Sequence, residues 1–353
     1  MLLTFFTFIN NKLVFADMVA QSKIAILAII VIIPLVSVIL WSNENTENLE
    51  ISEDELQVYV SFYPLYETTQ AIIGQKADVK ILTPPNIDPH DFDPSVKIIQ
   101  EMKTADLIIL NGGGFESWIS NMKFESGQLL DSSNGISFLE TKSIAHHEEH
   151  EEHDEHDEHD EHAKEDEHDE HDEHAKEDEH EVVSDPHIWL NPNLVKIQVK
   201  NIAERLSKID PENSKSYNEN ALQYVEKLEL LDLQIREELS SCSKKDFITY
   251  HNAFSYFSDE YGLTQHTITK GVHSHSQPTA KSIENIIDLA KELDIRVIFA
   301  EDTSDIRISK VIADEIGADV LILSPAATEH IENKNYFERM QENTSNLKEA
   351  LCN

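Results

Sequence analysis

The sequence predicts an α/β protein of two lobes. Each lobe is a parallel sheet flanked by helices. A long connecting helix joins them, and a disordered His- and acid-rich insertion interrupts the chain. Three observations predict this. Short β-branched runs alternate with helical patterns in both halves of the 353-residue chain. A long helical pattern, roughly 194–239, lies between the halves. Residues 146–181 are almost entirely His, Asp and Glu, and low hydrophobicity with high charge predicts disorder.

The chain begins with a hydrophobic segment. Ile24–Trp41 runs for 18 residues without a charge, near the minimum length for a membrane-spanning helix. Lys23 precedes it, and Glu44, Glu47 and Glu50 follow. That asymmetry places residues 42–353 outside the cytoplasm. The run is long and lacks a small-residue cleavage pattern, so it reads as an anchor, with a cleaved signal as the alternative. Residues 42–56 read as a polar tether. Met18 is a second candidate start.

In the first half the candidate strands are Val58–Tyr63, Val79–Thr83 and Leu107–Asn111, with helices at Leu65–Ile73 and Val96–Thr104. In the second half they are Phe247–His251, Thr267–Thr269, Val297–Ala300 and Val320–Leu323, separated by helices at Ile283–Leu293 and Ser309–Ile316. Within the connecting helix Pro211 predicts a kink or a split. The Gly run at 112–114 lacks a phosphate-loop frame and reads as a tight turn. The divisions are a signal or anchor segment (1–41), a tether (42–56), an N-terminal lobe (57–145), the insertion (146–181), the connecting-helix region (182–240) and a C-terminal lobe (241–353).

The formal net charge is −39. The stretch from Glu148 to Glu181 carries 21 acidic residues and two lysines, leaving −20 on the rest. Phosphate repels such a surface, so nucleic acid is excluded as a partner and cations are favoured. Two cysteines, Cys242 and Cys352, rule out a CxxC zinc site. In an oxidising compartment they could pair, although sequence does not fix their distance. Asn343-Thr344-Ser345 matches the N-glycosylation pattern.

Histidine is concentrated in the insertion, where HDEHAKEDEH occurs twice, from His159 and from His171. Neutral imidazole ligates zinc, copper and nickel. Ordering a flexible segment costs about 1–2 kcal/mol per residue, which argues against a rigid site there. His150, His153, His156, His159, His162, His168, His171, His174 and His180 therefore read as a weak, multivalent metal collector. A plain acidic spacer would not need so many imidazoles.

Three separated histidines have a different context. His90 follows strand Val79–Thr83 in TPPNIDPHDFDPS. His187 precedes the connecting helix in SDPHIWLNP. His251 ends strand Phe247–His251 in ITYHNAFSYF. Open parallel sheets bind ligands outside the carboxyl ends of their strands. Each histidine alone has a bland explanation as a hydrogen-bonded residue; three imidazoles with one further oxygen make a tetrahedral zinc site.

On these motifs the chain resembles the zinc/manganese substrate-binding proteins of ABC importers. PHDFDPS, NGGGFESWIS, DPHIWLNP and YHNAFSYFSDEYGL are similar to that family's patterns, as are GVHSHSQPTA, FAEDTSD and YFERMQENTSNLKEAL. The resemblance spans roughly Gln57–Leu351. It implies that His90, His187 and His251 are metal ligands, that the protein is not an enzyme, and that the cargo is Zn2+ delivered to a permease with its ATPase. The chain itself would be a monomer. The family's fourth ligand is a carboxylate in an L-D-P context. Here the text is LILSPAATEH, with Ser324 in that place. Water, Glu329 or His330 are candidates for the fourth position, and His273 and His275 are further ones. Three nitrogens without a dedicated carboxylate favour zinc over manganese. Asp185 and Glu301 are candidates to support ligand imidazoles. The connecting helix is expected to restrict lobe movement. The rival readings are a manganese carrier of the same type, a cell-surface metal buffer or adhesin, and a three-histidine zinc hydrolase. The last lacks HExxH and GxSxG signatures.

Overall fold

The computed structural model describes residues 56–85, 87–142, 182–269, 277–301, 306–329 and 332–352. The apolar segment 24–41, most of the tether and the insertion 146–181 lie outside the described residues. Among those described, no helix is long and apolar enough to cross a membrane.

The N-terminal lobe is built on β1 (Val58–Val60), α1 (Tyr63–Ile73), β2 (Val79–Ile81), α2 (Val96–Met102), β3 (Leu107–Leu110) and β4 (Leu129–Asp131). The strands are parallel, in the order β2-β1-β3-β4. VYV and LIIL are buried throughout, as central parallel strands covered on both faces must be. Pro64 opens α1, where a missing N–H costs nothing, and Gly74 closes it at φ +64°.

A short antiparallel ribbon follows, β5 (Glu140–Lys142) paired with β6 (Val182–Ser184). The insertion thus leaves and re-enters through adjacent strands. The expected connecting helix is split at Pro211 into α3 (Pro192–Ile209) and α4 (Ser214–Ser240). Asp210 holds the break through its side chain, accepting from the Asn213 amide at 2.7 Å and the Tyr217 hydroxyl at 2.5 Å. The two helices run antiparallel, since Asn193 bonds Asp232 and Asn218 bonds Ser207. The 27-residue α4 packs on α1 of the first lobe and on the last helix of the second.

The C-terminal lobe comprises β7 (Asp246–Thr249), α5 (Ser255–Tyr261), β8 (Thr264–Thr267), α6 (Ala280–Glu292), β9 (Val297–Ala300), α7 (Ile306–Ile316), β10 (Asp319–Ile322) and α8 (Tyr336–Cys352). Its parallel order is β10-β9-β7-β8. The strand expected at Thr267–Thr269 therefore lies earlier, as β8. Its TQHT sequence is half-buried or exposed along an edge, and a search for β-branched runs is blind to such a strand. One apolar core joins the lobes, from Val58 and Phe62 through Trp189 and Leu228 to Phe247 and Leu347. Cys242 and Cys352 form a disulfide that ties the end of α4 to the end of α8. Asn343 is buried, donating to the Ser324 carbonyl and accepting from its N–H. It is not available as a glycosylation acceptor in the folded chain.

Candidate metal centre

Both sheets place a switch in strand order at their centres, β1/β3 in one and β7/β9 in the other, where α/β sheets open a crevice. His90 lies in the loop after β2. There Asp88, Pro89 and His90 form a tight turn, with the Asp88 carboxylate accepting the His90 backbone N–H at 2.9 Å. Asp185-Pro186-His187 is built the same way, the Asp185 carboxylate accepting the His187 N–H at 3.0 Å. His251 lies two residues past β7. The register pairs Ile248 with Ile298, so His251 and Glu301 leave adjacent strands side by side.

The three rings converge. Nε2 of His187 is 3.1 Å from Nε2 of His90 and 3.4 Å from Nε2 of His251. A tetrahedral zinc ion with Zn–N bonds of about 2.0–2.1 Å holds its donors about 3.3–3.4 Å apart; one spacing matches that, the other is slightly shorter, and all three donor atoms lie within 4.8 Å of one another. The space enclosed beside the rings is ≈ 10 Å³, room for about one water or ion. His187 and His251 are buried and His90 is half-buried.

The other ring nitrogens are committed. Nδ1 of His187 lies 2.7 Å from Asp185, and Nδ1 of His251 lies 2.6 Å from Glu301. A carboxylate at Nδ1 makes that atom the donor and leaves the Nε2 lone pair for a cation. Burial lowers the pKa of His187, against the opposing pull of Asp185, which favours the neutral ring that a metal needs. Asp185 stays below the usual carboxylate range. Burial would raise it, but the hydrogen bonds it accepts from the His187 ring and backbone N–H and from Ser255 prevail. Burial also lowers His251, yet Glu301 and more distant acids outweigh it and raise the net value.

Aromatic side chains brace the site. Phe115 meets the His90 ring edge-on at 4.8 Å, and Trp189 lies 5.1 Å from the His187 ring. Trp189 also donates its indole N–H to the Pro325 carbonyl at 2.7 Å. Tyr256 donates to the Asp185 carbonyl and accepts from the Leu139 N–H, fastening the base of the ribbon. These bracing residues escaped the sequence reading. Phe115, Trp189 and Tyr256 lie within the motifs NGGGFESWIS, DPHIWLNP and YHNAFSYFSDEYGL, but only packing assigns their roles.

His90, His187 and His251 form the one group of at least three His, Cys or acidic side chains with metal-ligand spacing among the described residues. Glu329 is exposed, lines a neighbouring cavity with Tyr63 and Tyr66, and lies outside that group. Ser324 is directed elsewhere, its hydroxyl accepting from buried Arg339 at 2.7 Å. His273, His275 and His330 lie outside the described residues. Asp185 and Glu301 take the supporting places expected of them.

Residues 58–350 match the protein family described as "Zinc-uptake complex component A periplasmic". The high-affinity zinc uptake system protein ZnuA of Bacillus subtilis is 35% identical over 84% of this chain and 88% of its own length. The zinc-binding protein AdcA of Streptococcus pyogenes is 32% identical over 84% of this chain. The chain spans 56% of that relative's length. A crystal structure of ZnuA superposes with a TM-score of 0.66 at 29% identity, covering 84% of this chain and 100% of the other.

Proposed function

The chain belongs to the zinc-uptake complex component A family, and from that premise we propose that it captures Zn2+ outside the cytoplasm and delivers it to an ABC-type importer. The family supplies cargo carriers rather than enzymes. Zinc is the cargo, and the ligands are the Nε2 atoms of His90, His187 and His251. The observation that carries this assignment is the spacing of those atoms, 3.1 and 3.4 Å. Two of the three rings are also held by a carboxylate at Nδ1. A nitrogen-rich donor set favours zinc over manganese.

The insertion acts as a collector that raises the local concentration of zinc beside the site. The apolar segment 24–41 tethers the protein to the membrane, or is removed from a secreted form. The loaded monomer docks on the permease, whose partner is the ATPase. The shared core and α4, which packs on both lobes, support local loop movement over wide hinge closure. The fourth coordination position belongs to water or to one of Glu329, His330, His273 and His275.

The test is a competitive titration of residues 43–353 with Zn2+, Mn2+ and Cu2+. One tight zinc equivalent is expected, lost on substitution of any of the three histidines. A preference for manganese would overturn the cargo assignment. Co-purification of a permease separates the importer component from a free surface buffer or adhesin.

A further inference from the structure

Glu116 is a buried acid outside the ligand set. One carboxylate oxygen accepts the Asn111 N–H at 2.7 Å and the other accepts the Gly112 N–H at 3.1 Å. This clasp closes the turn Gly112–Gly114, whose three glycines all have φ between +66° and +88°. A Cβ on Gly112 would strike the Asp131 and Ser133 side chains, and one on Gly113 would strike the Phe138 ring. The turn is therefore fixed in shape from outside and held from inside by the Glu116 carboxylate together with the Phe115 N–H, which donates to the Gly112 carbonyl at 3.2 Å.

Two lines of contact run from this clasp to the histidines. Asn111, fully buried, donates its side-chain amide to the Pro186 carbonyl at 2.8 Å. That carbonyl belongs to the residue before His187. Gln198 on α3 holds the other end of the Asn111 side chain at 3.2 Å. Phe115, the residue before Glu116, presents its ring edge-on to His90 at 4.8 Å and lies 4.8 Å from Phe62 and 5.2 Å from Trp189.

We propose that Glu116 is a positioning residue for zinc binding: its carboxylate clasps Asn111 and Gly112 and so sets His187 through Pro186 and His90 through Phe115. The proposal rests on the reading that His90 and His187 ligate zinc. Burial pushes the Glu116 carboxyl up to about 7, against the hydrogen bonds that lower it. An acid kept in so unfavourable a place is consistent with a need for two acceptor oxygens at one point.

The experiment compares zinc affinity and apo-state stability in the chain and four variants: Glu116→Ala, Glu116→Gln, His187→Ala, and Ile312→Ala as a remote control in the buried core. Glu116→Ala is expected to raise the Kd for zinc about 10–100-fold, the range for outer partners of metal ligands. Glu116→Gln keeps one acceptor and should show an intermediate loss. Ile312→Ala should bind zinc like the parent. Parent-like affinity in both Glu116 variants overturns the proposal alone, as does an equal loss in the Ile312→Ala control. Tight binding that survives His187→Ala overturns the underlying reading and the proposal together. Should Glu116→Ala fail to fold, Glu116→Gln against the Ile312→Ala control decides.

Discussion

One oxygen of Glu301 accepts both the ring Nδ1–H of His251, at 2.6 Å, and its backbone N–H, at 3.2 Å. Asp185 does the same for His187, at 2.7 and 3.0 Å. Each carboxylate therefore fixes a histidine at two points and selects the tautomer with a free Nε2 lone pair. The two sites lie on unrelated backbone, a proline turn and a strand end, yet reach the same local geometry.

The Glu301 partnership predicts a pH signature. Burial lowers the His251 pKa, but the Glu301 charge outweighs it and the net shift is upward. The metal-free protein therefore holds a proton on His251 at higher pH than an ordinary imidazole would, and zinc must displace it. Apparent affinity falls as pH drops through that raised value, by about tenfold per unit for one displaced proton. In Glu301→Gln the raising charge is gone, so the decline begins at lower pH. Affinity at pH 7.5 is expected to fall about 10–100-fold from weaker orientation. Calorimetry in buffers of different ionisation enthalpy reads the protons released; an unchanged pH profile would refute the coupling.

The converging Nε2 atoms predict that His90→Ala, His187→Ala and His251→Ala each abolish the tight zinc equivalent. The loss should exceed the roughly 10–100-fold effect of removing an outer partner, because a ligand itself is gone. His187→Ala and His251→Ala also leave buried Asp185 or Glu301 without its imidazole, so their apo stability should drop. His90 is half-buried and its replacement should leave stability closer to that of the parent. Equilibrium competition with a zinc indicator, paired with urea unfolding, measures both quantities. Retention of tight binding by any one of the three would remove that residue from the ligand set.

The ribbon of β5 and β6 predicts that the insertion can be removed cleanly. The two strands pair antiparallel, with Lys142 opposite Val182, so a two-residue Asn-Gly turn can replace 143–181. Asp185 and Tyr256 lie below that turn, with the Asp185 N–H on the Leu139 carbonyl and the Tyr256 hydroxyl on the Leu139 N–H. The tight zinc equivalent should survive within about threefold, while the weaker equivalents vanish. Disappearance of the tight equivalent would move the functional site into the insertion.

Much of this was legible before any coordinates. The buried parallel strands are near-continuous apolar runs, so Leu107–Leu110 and Val297–Ala300 stand out. Of the converging histidines, His90 and His251 were findable because strand ends mark the crevice of a parallel sheet, whereas His187 stood out through its DPHIWLNP motif. Short polar elements were not. Edge strand β8 carries no apolar run, β4 offers only two leucines, and α5 is seven residues long, too short for helical periodicity to register. Glu116 illustrates a deeper limit. Its role depends on Asn111 reaching across 75 positions to Pro186, and no local pattern encodes that reach.

The disulfide predicts a separation between stability and binding. Cys242 and Cys352 lie 110 residues apart in sequence, so the bond closes most of the C-terminal lobe into one loop. Chain-entropy reasoning assigns a loop of that size about 4–5 kcal/mol, and measured losses on removing native disulfides run about 2–5 kcal/mol. Cys242 precedes β7, whereas His251 follows its far end, so the bond and His251 lie at opposite ends of that strand. The double variant Cys242→Ser/Cys352→Ser, which avoids stray thiol ligands, should therefore unfold at lower denaturant. It should bind zinc within about threefold of the parent at 25 °C, because α4, α8 and the shared core still fix the lobes. Zinc should also raise its unfolding midpoint, since a ligand that binds only the native state adds RT ln(1 + [L]/Kd) to stability. A large loss of zinc affinity with unchanged unfolding would reverse the assignment, making the disulfide a determinant of the site rather than of the fold.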